Sequence, residues 1–213
     1  MTKKSNPDQQ SLMDMAAAVS KARAETRMNH LSDGFEARAV FEATHKPANT
    51  SIQDKLKAYR KKLVVPGIAA LTLAADMDPN FMNGSSNGSG ARFNVYAIDK
   101  LADLLHGLNS GHIKNAVNRS IVASLFRCAD AGITFTGIAA QAAVCGTMKV
   151  EKDLAAALVR HTASESTAPT QASSTMNALA VLGAVANKGT PKHPVWQLTD
   201  APVVERLKEV IAA

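Results

Sequence analysis

Aromatic side chains are scarce in this chain, 4% of 213 residues, with a single tryptophan at Trp196. Hydrophobic residues still make up 46%, so a core can form, and abundant alanine favours helices over sheets. Cysteine is nearly absent. Cys128 and Cys145 are too few for a disulfide framework or a zinc site, and their alanine-rich surroundings read as buried thiols. Long apolar runs are also missing. The longest, Leu63 to Ala75, spans thirteen residues and contains Pro66-Gly67, short of the ~20 needed to cross a bilayer. No apolar stretch follows Lys3 and Lys4, so no secretory signal is read and a cytoplasmic location is expected.

Catalytic signatures are lacking too. The six histidines are His30, His45, His106, His112, His161 and His193, and none belongs to an H-E-x-x-H or a Cys/His ligand set. No G-x-S-x-G elbow and no paired-carboxylate motif can be read. The run NGSSNGSG, residues 83–90, is glycine-rich, but Ala91-Arg92 follows where a phosphate-binding loop needs Lys-Ser/Thr. A linker is the better account of it. The expectation is a protein that is not an enzyme, with no metal and no small-molecule cofactor.

What the chain does have is positive charge, net +6 with a pI of about 9.4. That balance suits a nucleic-acid partner. It is uneven: residues 1–62 hold 12 Lys/Arg against 7 Asp/Glu, and residues 63–213 hold 12 against 11. The densest stretch is SIQDKLKAYRKKL, residues 51–63. Ile52, Leu56, Tyr59 and Leu63 form one side of a helix there, and Lys55, Lys57, Arg60, Lys61 and Lys62 surround it. These five read either as phosphate contacts or as a solvated helix face.

The chain divides into a basic N-terminal extension (1–62), helical or partly disordered, an apolar segment with the Gly/Ser-rich linker (63–91), and a helical domain (92–213). Residues 10–30 predict a weak helix with Lys21, Arg23 and Arg27 outward, and 35–43 a second one. Residues 95–108 predict a helix with Asp99, Lys100 and Asp103 outside, and 112–130 another with Lys114, Asn118 and Arg119 outside. Ile133 to Thr136 suits a short strand, and 137–145 and 151–162 suit short helices. The last helix has Val203, Val204, Leu207, Val210 and Ile211 on one face.

The most informative pattern lies in residues 167–199, TAPTQASSTMNALAVLGAVANKGTPKHPVWQLT. Thr167 can cap a helix with Pro169 in its first turn. Met176, Leu179 and Leu182 supply an inward stripe, Gln171, Ser174 and Asn177 recur outward, and Gly183 stops the helix. Ala184-Val185 can start a strand, Asn187 to Pro194 is turn-forming and basic, and Val195 to Leu198 can return. Trp196 would anchor that hairpin to the core.

The order of helix, stop and hairpin resembles the recognition helix and wing of winged helix-turn-helix DNA-binding proteins, over roughly residues 150–200. The resemblance implies a mainly α fold with a small β-hairpin wing. It also implies double-stranded DNA as partner, bound by a homodimer that regulates transcription or plasmid or phage maintenance. Thr170, Gln171, Ser173, Ser174 and Asn177 would meet base edges. Lys188, Lys192, His193 and the basic N-terminal residues would hold phosphates. In the preferred register 151–162 supports the recognition helix 169–182. In the other, 137–145 supports 149–161. One departure from the family pattern is that helix 169–182 contains no Arg or Lys. Competing readings are a structural or assembly component of a virion or other large complex and, more weakly, a membrane-surface protein acting through Leu63–Ala75.

Overall fold

The computed structural model describes residues 10–83 and 92–212. It is mainly helical, with one small three-stranded antiparallel sheet. The chain begins with α1 (Leu12–Ala17) and α2 (Lys21–His45), each started by a serine: Ser11 Oγ accepts from the amide of Asp14, and Ser20 Oγ from that of Arg23. The single weak helix expected over 10–30 is therefore two. The break expected before Phe35 is absent, because α2 runs straight through Gly34. A side chain at Gly34 would press on the Met82 methyl at 3.0 Å, so the glycine serves close approach rather than a turn.

Two arginines of α2 are buried, not outward as the sequence pattern suggested for Arg27. Arg27 donates to Thr72 Oγ1 at 2.9 Å and to the Met77 carbonyl. Arg38 donates to the carbonyls of Met82 (2.8 Å) and Phe93 (2.7 Å) and pairs with buried Glu42 at 2.8 Å. The guanidinium's fork of donors satisfies carbonyls left free by the irregular chain after α4, which explains why these charges go inward.

Asn49 caps α3 (Thr50–Leu63), which buries Leu56, Tyr59 and Leu63 as its periodicity predicts. Pro66 opens α4 (Pro66–Ala74), whose Ile68, Ala69 and Leu71 are fully buried. The apolar run Leu63–Ala75 thus lies mostly inside the core, packed on α1 and α2, and no helix among the described residues is long and apolar enough to cross a membrane. The apolar side chains of α1 to α4 join those of the C-terminal half in one hydrophobic cluster reaching from Leu12 to Val210. The residues read as an extension, from Leu12 onward, are packed helices. The Gly/Ser-rich run read as a linker lies, apart from Asn83, outside the described residues.

Two longer helices follow, α5 (Val95–Ser110), ended by Gly111 in the left-handed region (φ 79°), and α6 (Ala116–Asp130), capped by Asn115. Then come β1 (Phe135–Thr136), α7 (Gly137–Val144), α8 (Lys152–Ala157), α9 (Ala168–Val181), β2 (Val185–Asn187), β3 (Val195–Leu198) and α10 (Pro202–Ala212). The hairpin falls where the sequence placed it, and β1 joins its far edge, giving the order β1-β3-β2. Phe135 pairs with Trp196, and Val185 with Leu198.

Three expectations are corrected in this half. The helix expected over 151–162 stops at Ala157, and residues 158–163 run extended beside α7: the His161 amide donates to the Ala143 carbonyl and the Ala163 amide to that of Val144. The helix packed on α9 is α7, not α8, which lies on α6. Four alanines of α7 are buried, and such small side chains let α7 and α9 approach closely. Lys100 and Asn118, expected outside, are buried, because α9 covers the α5–α6 face that carries them.

They form a polar network. Lys100 Nζ donates to Asn115 Oδ1 at 3.1 Å. Asn118 Nδ2 donates to the Lys100 carbonyl (3.1 Å) and to Asp103 Oδ2 (2.8 Å). Asn118 Oδ1 accepts from the Thr175 hydroxyl of α9 at 2.9 Å. Each polar atom of the Asn118 side chain is thereby satisfied, as burial demands. Burial also pulls the Lys100 ammonium below its usual range, against the neighbouring charges of Asp99 and Asp103.

Candidate nucleic-acid interface

The site expected from the sequence has two parts, the surface of α9 with the hairpin and the basic helix α3. Helix α9 is held on one side by α5 and on another by α7, so little of it is free. Thr170 and Ser173 are exposed, and Gln171 and Asn177 are half-buried. Ser174, expected outward with them, is 1% exposed, and its hydroxyl has no partner. A helix built of Ala, Ser and Thr carries little contrast between faces, and contact with two neighbours turns a second face inward. The outward strip is Pro169/Thr170, Ser173 and half-buried Asn177 and Ala180, one residue round from the one expected.

The hairpin tip is a defined structure. Asn187 Oδ1 accepts from the amides of Gly189 (2.9 Å) and Val195 (3.1 Å). The Lys188 amide donates to the Val195 carbonyl at 2.7 Å, and Thr190 Oγ1 accepts from the His193 amide at 3.1 Å. The tip is tied to α7 as well, because the Gly137 amide donates to the Pro194 carbonyl at 3.1 Å. A β-carbon at Gly137 would crowd the Pro194 ring at 3.0 Å. Lys188, Lys192 and His193 project from this tip and are exposed.

Between α7, α9 and the tip lies a groove of about 700 Å³. Ser173, Asn177, Lys192 and His193 line it, so four of the residues singled out from the sequence meet there. Thr170, Gln171 and Lys188 lie outside its lining. The other lining residues were not anticipated as part of a site, among them Ile138 and Gln141 of α7, and Trp196. Trp196 does pack on the core as expected, yet it is only half-buried and also forms groove wall. A signal for α7 was present in Thr136, a helix-capping residue placed directly before Gly-Ile-Ala-Ala-Gln. That helix was expected, but not as a wall of the site.

The lysines of α3 are engaged in various ways. Lys62 pairs with Asp99 at 2.9 Å, Lys57 lies 4.0 Å from Asp54, and Lys55 sits 4.4 Å above the Tyr96 ring. Arg60 donates to Ser32 Oγ, and Lys61 is exposed. None of the five lines the groove. Beneath them burial, helped by the charge of Asp99, pushes the Tyr59 hydroxyl up to about 12. Among the described residues no cluster of three or more His, Cys, Asp or Glu is placed to hold a metal ion.

Comparison with protein-family models, curated proteins and solved structures finds no match to this chain.

Proposed function

We propose that residues 116–198 form a winged helix-turn-helix unit and that the protein binds double-stranded DNA as a cytoplasmic regulator of transcription or of plasmid or phage maintenance. The observation that carries this reading is the element order α6, β1, α7, α8, α9, β2, β3 with the sheet order β1-β3-β2, in which the short α8 is an insertion between the two helices that pack on each other, α7 and α9. In it a stapled, cationic hairpin stands beside α9, whose exposed strip carries Thr170, Ser173 and Asn177 and no acidic group. Insertion of a short helix N-terminus into the major groove, with a basic loop on the neighbouring phosphates, is how such units dock. Thr170 and Gln171 at the start of α9 are the side chains proposed to read base edges, and Lys188, Lys192 and His193 the ones that meet phosphates. Exposed Lys61 and Arg60 of α3 would add charge at a distance.

The test is selection from random duplexes followed by titration of the recovered site. Replacing Thr170 and Gln171 together by Ala lowers affinity for the selected site by about 1–3 kcal/mol and leaves random-duplex affinity unchanged. Both side chains lie outside the core, so the fold survives. If selection recovers no preferred site, sequence-dependent regulation fails and the assembly reading replaces it.

A further inference from the structure

We infer that the groove between α7, α9 and the hairpin tip binds an unpaired nucleotide, with its base inside the groove and its phosphate at Lys192 and His193. This inference rests on reading the α9–hairpin surface as a nucleic-acid site, and it names a second mode of binding there. A duplex meets convex elements, whereas this groove is concave. Its volume of about 700 Å³ falls in the ~300–1,000 Å³ range of small-ligand sites.

The lining supplies the three things a nucleotide needs. Trp196 offers an aromatic wall, and Ile138, 58% exposed, adds an apolar one that is otherwise left open to water. Stacking on such walls is favourable for every base because each has a π-face. The amides of Gln141 and Asn177 come from two different helices, and each can donate and accept at once, as a base edge requires. Lys192 and His193 provide cationic and donor groups at the hairpin, and no acidic side chain lines the groove among the described residues. A phosphate is thus attracted without an opposing charge. The geometry is fixed before binding, since the Gly137–Pro194 bond joins the α7 wall to the tip, the Asn187 turn holds the tip itself, and α9 packs directly on α7.

The reporter is built in, because Trp196 is the only tryptophan of the chain. Its emission is followed while dAMP, deoxyadenosine, a short single-stranded oligo(dA) and a duplex of the same length are titrated separately. The inference predicts saturable quenching by dAMP or by the single strand, with deoxyadenosine weaker because it lacks the phosphate. Quenching by the strand alone identifies the ligand as a nucleotide within a chain, and quenching by both identifies the free nucleotide as sufficient.

Ile138→Glu places a negative charge in the first turn of α7, where a helix tolerates it, so the fold is retained. This variant and Asn177→Leu weaken binding by about tenfold or more. No saturable change with dAMP and none with the strand overturns the inference, as does quenching that Ile138→Glu leaves unaltered. Duplex binding is read on the same samples by anisotropy of a labelled duplex. If it persists while dAMP and the strand fail, the groove reading falls and the duplex reading stands.

Discussion

Asn118 is the residue through which the position of α9 is most directly testable. Its side chain is fully buried and makes three hydrogen bonds: to the Lys100 carbonyl and Asp103 Oδ2 as donor, and from the Thr175 hydroxyl as acceptor. Asn118→Ala removes all three and opens a small cavity. The Thr175 hydroxyl can turn to its own helix, so its loss is partly recovered. The Lys100 carbonyl is already bonded within α5, and Asp103 Oδ1 still accepts from the Asn115 amide at 3.0 Å. Counting about 1 kcal/mol for the bond to the Asp103 carboxylate, about 1 kcal/mol for the two other bonds together and about 1 kcal/mol for the cavity gives a loss of about 3 kcal/mol.

Urea unfolding followed by circular dichroism at 222 nm measures this directly. Thr175→Val alone costs about 1 kcal/mol, and the double variant falls short of the sum by about 0.5–1.5 kcal/mol because the two residues share a bond. An Asn118→Ala loss below about 1 kcal/mol with an unchanged m-value would refute the reasoning. So would strict additivity with Thr175→Val, which would mean that α9 is not tied to α6 through this bond.

Other consequences concern Tyr59 and the hairpin. The folded Tyr59 holds its proton up to about 12 against an ordinary value of 10.0. The unfolded chain therefore loses that proton first, and the stability it carries is present below pH 10 and drains away between pH 10 and 12. Wild type is expected to lose about 2–3 kcal/mol more than Tyr59→Phe across that window. Parallel stability curves for the two proteins would show that the hydroxyl is not shielded. At the tip, a β-carbon on Gly189 would lie 2.2 Å from the His193 carbonyl and 2.8 Å from the Val195 amide, both backbone. Gly189→Ala is expected to cost about 1–3 kcal/mol of local stability. Hydrogen exchange at the Lys188 and Val195 amides should speed up while the α5 and α6 amides stay protected. Unchanged exchange at the tip would contradict its stapled geometry.

The sequence was legible where contrast between faces was strong or a stop signal was sharp. α5 and α6 carry leucine and isoleucine at helical spacing, and Gly183 with the turn at Asn187–Pro194 marks the hairpin, so these elements fall close to where expected, although α6 starts at Ala116 behind its Asn115 cap and not at residue 112. It was misleading where polarity stood in for exposure. Arg27 and Lys100 go inward because a free carbonyl and an asparagine wait for them across 50 and 15 residues of chain, and no local pattern carries that. Ser174 goes inward because α9 is held between two helices, a fact of tertiary packing that an Ala/Ser/Thr helix does not record. Residues 31–34 fall between the two helices expected there, yet α2 runs through them and Gly34 is a contact point for Met82. Of the candidate site, the cations of the tip and the polar start of α9 were readable in advance, whereas the α7 wall with Ile138 and Gln141 emerges only when the extended strap at 158–163 leaves α7 as the partner of α9.

The central claim, duplex binding through a cationic hairpin beside α9, is tested most directly by the salt dependence of affinity for a random duplex. Wild type and Lys188→Ala/Lys192→Ala are titrated by fluorescence anisotropy at several salt concentrations between 50 and 200 mM, about the range over which phosphate contacts weaken strongly. Each lost phosphate contact flattens the log–log slope by ~0.9, so the double variant should be flatter by ~1.8 at unchanged helical content. Wild-type binding that is absent at the lowest salt, or a slope identical in the two proteins, would contradict the account.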